Sequence, residues 1–384
     1  MNSSHLPKAD TQALCASQEL EQIIQKEIKA SPAPLPFSRF MELALYTPQY
    51  GYYTGGAHKI GKAGDFVTAP ALTPLFGQTV ARQIRELLPQ TAGNICEFGA
   101  GTGELAAGLL DSLRDTALDN YFIIEVSPEL AERQLARIAA LVPDMVQKVR
   151  HLTALPDSFD GIMIGNEVLD AMPCELIRRE NGQFLRICVG IENGQFVQIA
   201  VPLADPHLLH LACEYFPDAQ PYTSELHPAQ YAFVRTLAER LQRGAVILID
   251  YGFDAAQYYH PQRHMGTLIG HHRHHTVHDP FFRVGLTDLT AHVNFTDIAQ
   301  AGTDEGLDLI GYATQADFLL NLGITDLADS GLSHDSPAYI QTASALHKLL
   351  MPHEMGELFK VIAFGRNIGT DWQGFAHGDI CHKL

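Results

Sequence analysis

The chain has 384 residues, with 26 Lys and Arg against 44 Asp and Glu, which gives a formal net charge of −18. Such an acidic chain repels nucleic-acid phosphates, and the sequence shows no local basic patch, so we expect no nucleic-acid partner. A content of 46% hydrophobic and 18% charged residues excludes a disordered chain. The length allows two to three units, or one large domain with insertions.

Membrane and targeting signals are not evident in the sequence. No apolar run approaches the roughly 20 residues that a membrane helix needs. The N-terminal segment carries Asp10, Glu19, Glu21 and Glu27 and lacks the basic and apolar regions of a targeting signal. We therefore expect no membrane insertion and a cytoplasmic location. The six cysteines form no C-x-x-C pair, which argues against a disulfide framework and a cysteine-rich zinc site.

The N-terminal part is predicted to be helical. Apolar residues at helical spacing predict a helix from Ser17 to about Ala30, which a proline-rich segment ends. A second helix is predicted to begin near Phe37. After an aromatic and glycine-rich loop, Thr68 is expected to cap a helix that runs through Leu87.

From Asn94 onwards, short apolar runs alternate with helix-like stretches. The runs cover 94–98, 121–126, 161–165 and 245–250. This alternation is typical of β/α units around a parallel sheet that is buried on both faces. Asn-Gly pairs at 181–182 and 193–194 predict hairpins in an inserted antiparallel element. Further strands are expected near 307–311 and over 358–364.

The most informative segment joins the first of these strands to a helix. It reads Glu97-Phe-Gly-Ala-Gly-Thr-Gly, and its glycines let the backbone turn sharply and approach a ligand closely. The dinucleotide fingerprint G-x-G-x-x-G would need a glycine where Glu104 stands, which argues against NAD or FAD. The alternative is an ordinary tight turn that binds nothing.

Two carboxylates favour a nucleoside ligand. Glu97 at a strand end can accept hydrogen bonds from an ammonium group, and Glu125 at the end of the next strand is placed to receive two ribose hydroxyls. S-adenosylmethionine carries an ammonium group and a ribose but no phosphate. We therefore predict that this cofactor is bound by Glu97, Gly99, Gly101, Gly103 and Glu125.

Several stretches together resemble the MidA-like family of class I S-adenosylmethionine-dependent methyltransferases. They are Gly64-Asp-Phe-Val-Thr-Ala-Pro, the glycine segment, Ile124-Glu-Val-Ser-Pro-Glu-Leu, Asn166-Glu-Val-Leu-Asp-Ala-Met-Pro, Ile249-Asp-Tyr-Gly-Phe, Gly266-Thr-Leu, Asp288-Leu-Thr-Ala-His-Val-Asn-Phe and Phe359-Lys-Val-Ile-Ala. The resemblance extends from about Phe37 to Arg366. Mitochondrial members of this family are respiratory complex I assembly factors that dimethylate an arginine.

The resemblance implies a fold and further site residues. The fold is α/β, a Rossmann-like, seven-stranded and mostly parallel sheet with an N-terminal helical lid and inserted α/β elements. The regions expected are 1–90 (helical lid), 91–174 (first half of the core), 175–243 (inserted element) and 244–384 (second half, with a histidine-rich insertion at 254–295). The further cofactor contacts expected are Ala100, Thr102, Val126, Asn166 and the lid residue Thr68.

Catalytic candidates follow the strand at 161–165. Ligands of open α/β sheets bind beyond the carboxyl ends of the strands, and Glu167 and Asp170 lie there on a turn expected to enter a helix. Two carboxylates on one side can hold a guanidinium in bidentate fashion. We predict Glu167 as the main guanidinium clamp and Asp170 as the second. For Asp170 the alternative is a carboxylate that satisfies backbone donors at the start of the helix.

Other candidates carry histidines or tyrosines. If 288–292 is helical, Asp288 would orient His292 as the proton acceptor after methyl transfer, although a packing histidine is the alternative. The cluster His264, His271, His272, His274, His275 and His278 has no nearby cysteine and no zinc spacing, so we predict no metal. The tyrosines Tyr46, Tyr50, Tyr52 and Tyr53 are either a cation–π surface for an arginine-bearing segment or packing residues.

The sequence thus predicts a methyltransferase that uses S-adenosylmethionine and releases S-adenosylhomocysteine. The resemblance implies dimethylation of an arginine on a protein partner like a complex I subunit. Two alternatives stay open: a weakly active or inactive cofactor-binding assembly factor, and a methyltransferase of small molecules. The long insertions at 175–243 and 254–295 favour a macromolecular substrate over a small one.

Overall fold

The computed structural model describes residues 11–55, 68–329 and 336–384. The chain forms two compact units, each assembled from three segments. Unit 1 comprises Met1–Phe66, Leu169–Tyr231 and Phe253–Asn294, and unit 2 comprises Val67–Val168, Ala232–Gly252 and Phe295–Leu384. The four regions that the resemblance implies remain a prediction.

The described residues contain helices and strands in alternation over most of the chain. The helices are α1 (Thr11–Ala30), α2 (Phe37–Tyr46), α3 (Ala69–Leu72), α4 (Pro74–Leu87), α5 (Glu104–Ser112), α6 (Pro128–Leu141), α7 (Pro206–Tyr215), α8 (Pro228–Arg240), α9 (Ala255–Tyr258), α10 (Phe295–Asp304), α11 (Gln315–Asn321), α12 (Ile324–Asp329), α13 (Pro337–Leu350) and α14 (Met355–Leu358). The strands are β1 (Leu35–Pro36), β2 (Asn94–Phe98), β3 (Asn120–Ile124), β4 (Val149–Leu152), β5 (Phe159–Asn166), β6 (Glu175–Glu180), β7 (Gln183–Glu192), β8 (Gln195–Pro202), β9 (Tyr222–Leu226), β10 (Leu241–Phe253), β11 (Ile269–His272), β12 (His275–Val277), β13 (Asp288–Thr290), β14 (Val293–Asn294), β15 (Asp308–Thr314) and β16 (Phe359–Arg366).

Unit 2 is built on a sheet whose main path runs β15-β16-β10-β5-β2-β3-β4. The pairs from β10 through β4 are parallel, whereas β16 pairs antiparallel with both β10 and β15. The predicted seven-stranded, mostly parallel α/β sheet is therefore confirmed. Because β2, β3 and β5 run parallel in register, the residues that follow Phe98, Ile124 and Asn166 emerge at the same edge of the sheet.

The core of unit 2 explains why these strands read as continuous apolar runs. Ile95 of β2 and Ile164 of β5 are fully buried in one cluster with Val80 of α4 and Leu109 of α5. Strands of a parallel sheet have helices packed on their faces, so successive residues are apolar rather than alternating. Because the strands are buried in this core, the positions at which the loops leave their carboxyl ends are fixed.

Unit 1 contains an antiparallel sheet of order β1-β7-β6-β9, with β8 paired to β7. Both predicted hairpins are confirmed. Asn181 and Gly182 have φ of 51° and 75°, and Asn193 and Gly194 have φ of 51° and 80°. These are the left-handed conformations that a two-residue type I′ turn requires at both central positions.

The N-terminal helices belong to the core of unit 1, which confirms both predicted helices. Leu20 of α1 and Phe40 of α2 have no exposed surface and share a cluster with Leu176 of β6 and Val189 of β7. Among the described residues, no helix is both long enough and apolar enough to cross a membrane.

Two local predictions are wrong, and the condition attached to a third, that 288–292 is helical, is not met. Thr68 precedes only the four-residue α3 and makes no capping bond with its side chain, whereas Thr73 caps α4 by accepting from the amide of Leu75. The reason is Pro74, which begins a new helix. Residues 167–174 form turns and bends and not a helix, and Pro173 among them lacks the backbone donor that a helix interior needs. Residues 288–290 are a strand, paired with β11, so Asp288 and His292 are not one helical turn apart.

Candidate functional site in unit 2

The glycine loop joins β2 to α5 at the carboxyl edge of the sheet. Gly99, Gly101 and Gly103 have φ of 65°, 54° and 88°, a left-handed region that side chains strain to adopt. A Cβ on Gly99 would lie 2.7 Å from Cγ2 of Val168, and one on Gly103 would lie 3.3 Å from Cα of Gln134. At Gly99 and Gly103 a side chain would therefore meet both a close neighbour and a strained backbone conformation.

The start of α5 is not open to a phosphate. Glu104 is its first residue, and its carboxylate accepts a hydrogen bond from the hydroxyl of Thr102 and lies 3.6 Å from the guanidinium of Arg137. A carboxylate in the first turn is stabilised by the positive end of the helix dipole, and its charge repels a second anion at the same place. This arrangement suits a ligand without phosphate, as the sequence predicts.

Glu97 lies at the penultimate position of β2 and is only 1% exposed. Its Oε2 accepts a 2.6 Å hydrogen bond from the hydroxyl of Tyr121 on β3. Burial raises the pKa of the Glu97 carboxyl to about 7 despite this bond. A cation beside this group would be stabilised by it and would in turn favour its ionised form.

Glu125 directly follows β3, and its backbone amide donates to the carbonyl of Leu152 at 2.9 Å. Its Oε1 accepts from the amide of Ser127 at 2.8 Å, and its Oε2 accepts from Nε2 of Gln134 at 3.0 Å. The neighbouring Val126 is 63% exposed. The carboxylate is thus fixed at the same edge as the glycine loop, with an exposed apolar side chain beside it.

A turn after β5 carries Asn166 and Glu167. Glu167 has φ of 54°, its amide donates to the carbonyl of Ile249, and its Oε1 accepts from Nδ2 of Asn166 at 3.0 Å. Its carbonyl lies 4.0 Å from where a Cβ of Gly99 would be, so this turn and the glycine loop are adjacent. Among the described residues, the buried Oδ1 of Asn166 finds no hydrogen-bond partner. Strained backbone of this kind is concentrated at functional sites.

Unit 2 thus brings together the predicted residues at the three strand ends. They are Glu97, Gly99, Ala100, Gly101, Thr102, Gly103, Glu125, Val126, Asn166 and Glu167. Thr68 also belongs to unit 2, at the start of α3, while the lid motif Gly64-Asp-Phe lies outside the described residues.

The sequence prediction missed three residues of this site. Tyr121 donates a hydrogen bond to Glu97, and Gln134 donates one to Glu125. Asp250 accepts from the amide of Val168 at 3.1 Å and so fixes the turn after β5. A signal existed for Gln134, because it interrupts the apolar stripe formed by Leu130 and Ile138 on α6. Asp250 falls within a family motif but had no assigned role.

The remaining catalytic candidates belong to unit 1. The carboxylate of Asp288 accepts a 2.9 Å hydrogen bond from the hydroxyl of Tyr53, whose ring stacks on Tyr46 at 5.5 Å. Asp170 and Asp288 are both buried, and after desolvation they are the charges that raise the pKa of Tyr46 and Tyr53. We name these four residues the Tyr–Asp cluster.

His292 does not meet Asp288 through a helical turn. Its ring stacks on Phe253 with centroids 5.3 Å apart, and its amide donates to Oγ1 of Thr267 at 3.1 Å. The predicted orienting role of Asp288 toward His292 is therefore not supported by the helical geometry on which it depended, because this segment is extended.

The histidine-rich segment forms a β-hairpin. His271 and His272 on β11 pair with Thr276 and His275 on β12. His272 contacts the carbonyl of Leu286 through Nδ1 at 2.7 Å. Within the described residues, no group of three or more His, Cys, Asp and Glu side chains is arranged to hold a metal ion.

Comparison with known proteins identifies the family. Residues 75–313 match the family model Methyltransf_28, of S-adenosyl-L-methionine-dependent methyltransferases. The chain belongs to this family. The methyltransferase is 45% identical to a Burkholderia thailandensis protein crystallised with S-adenosyl-homocysteine, with a TM-score of 0.95 and coverage of 99% of this chain and 100% of that one. A native crystal structure of a protein from the same species is 44% identical, with a TM-score of 0.91 and coverage of 99% and 100%.

More distant relatives carry a functional name. The chain is 24% identical to the mitochondrial protein arginine methyltransferase NDUFAF7 of Danio rerio, over 91% of this chain and 88% of that protein. It is also 24% identical to the NDUFAF7 homologue of Drosophila melanogaster, over 93% and 88%. The MidA-like resemblance is confirmed, and S-adenosylmethionine is the cofactor of this methyltransferase.

Proposed function

We propose that this methyltransferase transfers methyl groups to an arginine of a partner protein, with the cofactor held in unit 2. The observation that carries the proposal is the position of Glu167, a carboxylate on a strained turn next to the glycine loop. The names of the relatives at 24% identity support the choice of arginine over other acceptors.

The donor set of unit 2 fits S-adenosylmethionine. In our assignment Glu97 accepts from the ammonium group, Glu125 accepts from the ribose hydroxyls, and the loop from Gly99 to Gly103 faces the ligand with its backbone. Oδ1 of Asn166, which has no hydrogen-bond partner within the part of the chain that the structure describes, offers a further acceptor. Bound there, the cofactor supplies an electrophilic methyl group on a sulfonium, and the absence of a phosphate suits a helix start occupied by Glu104.

Glu167 is assigned the role of holding the substrate guanidinium. A guanidinium stays protonated at neutral pH and is a poor nucleophile. A carboxylate that binds one edge of it concentrates positive charge on that edge and leaves electron density on the opposite nitrogen. The rigid turn, fixed by Ile249 and Asp250, holds this carboxylate in one place, which aligns the attacking nitrogen.

Considered by itself, unit 1 offers a second set of groups suited to an arginine of a protein substrate, the Tyr–Asp cluster. It combines two buried carboxylates with two stacked phenol rings. Aromatic faces and carboxylates are the groups that recognise a guanidinium in proteins. Asp170 as the second clamp stays a prediction of the sequence, on a segment that forms turns and bends and not a helix.

The experiment uses tritiated S-adenosylmethionine and an extract of cells that lack this protein. The wild-type enzyme is expected to label protein, with the label recovered as methylated arginine after hydrolysis. Glu167→Gln should bind S-adenosylhomocysteine normally and lose most of the labelling, and Gly101→Val should lose binding as well.

The rival functions give different results. Label on a small molecule, or on another amino acid, would contradict arginine methylation. Binding of S-adenosylhomocysteine without any label would favour an assembly factor that has lost catalysis. A complex I subunit as the client, dimethylation as the product and the cytoplasm as the location remain predictions of the sequence.

A further inference from the structure

Gln134 links the two parts of the cofactor site. It lies on α6 with 0% exposure, and its Nε2 is 3.0 Å from both the carbonyl of Gly101 and Oε2 of Glu125. Its Oε1 is 2.9 Å from Nε2 of His151. A carbonyl and a carboxylate only accept, so the amide nitrogen must face them and its oxygen must face His151. His151 therefore carries a hydrogen on Nε2.

The contacts leave Glu125 able to accept two more hydrogen bonds. A carboxylate has about four acceptor positions on its two oxygens. The amide of Ser127 uses one on Oε1, and Gln134 uses one on Oε2. Among the described residues, each oxygen therefore keeps one acceptor position. Two hydroxyls on adjacent carbons need two such positions side by side.

A glutamine at this place is not explained by packing alone. A buried amide is unfavourable unless its hydrogen bonds are made, and an apolar side chain of the same length would fill the space without that requirement. The amide nitrogen instead donates to the glycine loop and to Glu125, both of which are assigned to cofactor binding.

We propose that Gln134 is a positioning residue for the cofactor ribose. By bridging Gly101 and Glu125, it fixes the rotamer of the carboxylate and its distance from the glycine loop, so that both ribose hydroxyls are received at once. The inference rests on the proposed placement of the ribose at Glu125. If so, Gln134 accounts for much of the preference of the site for a ligand with both ribose hydroxyls over one that lacks them.

The test compares S-adenosylhomocysteine with its 2′,3′-dideoxy analogue by calorimetric titration. The wild type should bind the natural compound roughly 100- to 10,000-fold more tightly, as expected for two hydrogen bonds to a charged acceptor. Gln134→Met keeps the side-chain length without the amide. It should lower the affinity for S-adenosylhomocysteine by about tenfold and leave the affinity for the analogue nearly unchanged. The preference for the natural compound should therefore be smaller.

Gln83→Met is the matched control. Gln83 is also a fully buried glutamine of unit 2, and its amide bonds to Glu86 and to the amide of Gly374. This variant should lose stability and keep the wild-type preference. A purely structural role of Gln134 would give the same pattern as this control.

Three results overturn the inference. The first is that Gln134→Met prefers S-adenosylhomocysteine over the dideoxy analogue as strongly as the wild type does. The second is that this variant loses affinity for both ligands by the same factor. The third is a wild-type preference in Glu125→Gln, which shows that the ribose lies elsewhere and so overturns the placement as well. If Gln134→Met does not fold, His151→Phe removes the donor to Oε1 and should reduce the preference in the same direction, and an unchanged preference there contradicts the proposal.

Discussion

Tyr121 donates a 2.6 Å hydrogen bond from its phenol to the carboxylate of Glu97, and both side chains are buried. The two residues lie on adjacent parallel strands, β3 and β2. Burial raises the pKa of Glu97 to about 7, the bond from Tyr121 acts in the opposite direction, and the charge of Glu104 raises the pKa further. The ionisation of this carboxyl is therefore coupled both to folding and to any cation placed beside it.

The stability of the free protein should fall as the pH rises through about 7. The folded-state pKa of Glu97 lies above its ordinary value of 4.5, so its contribution is fully present below pH 4.5 and is lost as the pH rises through about 7. The loss should amount to about 3 kcal/mol at most. Urea unfolding between pH 5 and pH 9 measures it, and Glu97→Gln should lack this component.

Cofactor binding should show the opposite pH dependence. The ionised form of Glu97 is the better partner for an ammonium group, so the affinity for S-adenosylhomocysteine should rise as the pH increases toward and past about 7. Calorimetry in two buffers of different ionisation enthalpy should detect proton release near pH 6. In Glu97→Gln the affinity should be lower and nearly flat over this range. Proton uptake in the wild type would contradict the assignment of the ammonium group to Glu97.

Tyr121→Phe removes the hydrogen bond and keeps the ring in the core. Because that bond lowers the pKa of Glu97, its loss should move the midpoint of the binding profile to higher pH. The variant should also be less stable by about 1–2 kcal/mol. Tyr312→Phe is a suitable control, since this buried tyrosine belongs to unit 2 but not to the glycine loop. An unchanged midpoint in Tyr121→Phe would show that the bond does not act on Glu97.

The general plan of unit 2 could be predicted from the sequence because its signals are local. Buried parallel strands read as apolar runs, and a glycine loop after the first of them marks the carboxyl edge of the sheet. The Asn-Gly turns of unit 1 were equally local, since Asn181 and Asn193 need only their own left-handed φ.

The parts that could not be predicted depend on tertiary contacts. Asp288 and His292 are spaced as an acid and a base would be on one face of a helix. Instead, Asp288 pairs in a sheet with His271 and accepts a hydrogen bond from Tyr53, 235 residues away in sequence. No periodicity reports such a partner. Gln134 and Tyr121 were missed for the same reason, because their roles follow from which strand or loop lies beside them.

Gly99→Ala should be destabilising through two separable causes. The φ of 65° strains any side chain by about 1–2 kcal/mol, and the added Cβ would lie 2.7 Å from Cγ2 of Val168. Val168→Ala removes that methyl group, so the double variant should recover part of the lost stability but not all of it. Thermal unfolding of the four proteins measures the coupling. Additive effects of the two substitutions would show that the contact with Val168 is not limiting.

Glu225 is expected to be the main polar support of unit 1. It has no exposed surface, and its Oε1 accepts from the amides of Thr267 and Leu268 at 2.9 and 2.8 Å. Its Oε2 accepts from the hydroxyl of Tyr258 at 2.9 Å. Gly266 adopts φ of 72°, and a Cβ there would lie 2.3 Å from Oε1. The carboxylate thus ties the loop before β11 to β9.

Glu225→Gln should therefore lower the free energy of unfolding by about 2 kcal/mol, because an amide nitrogen replaces one acceptor oxygen among groups that donate. Glu214→Gln is the control, since Glu214 lies in the same unit with a side chain that is 53% exposed, and its change should stay within about 0.5 kcal/mol. Because His292 donates its amide to Thr267, the amide hydrogen exchange of His292 should become faster in Glu225→Gln alone. Equal stabilities of Glu225→Gln and the wild type would show that this buried carboxylate does not support the loop.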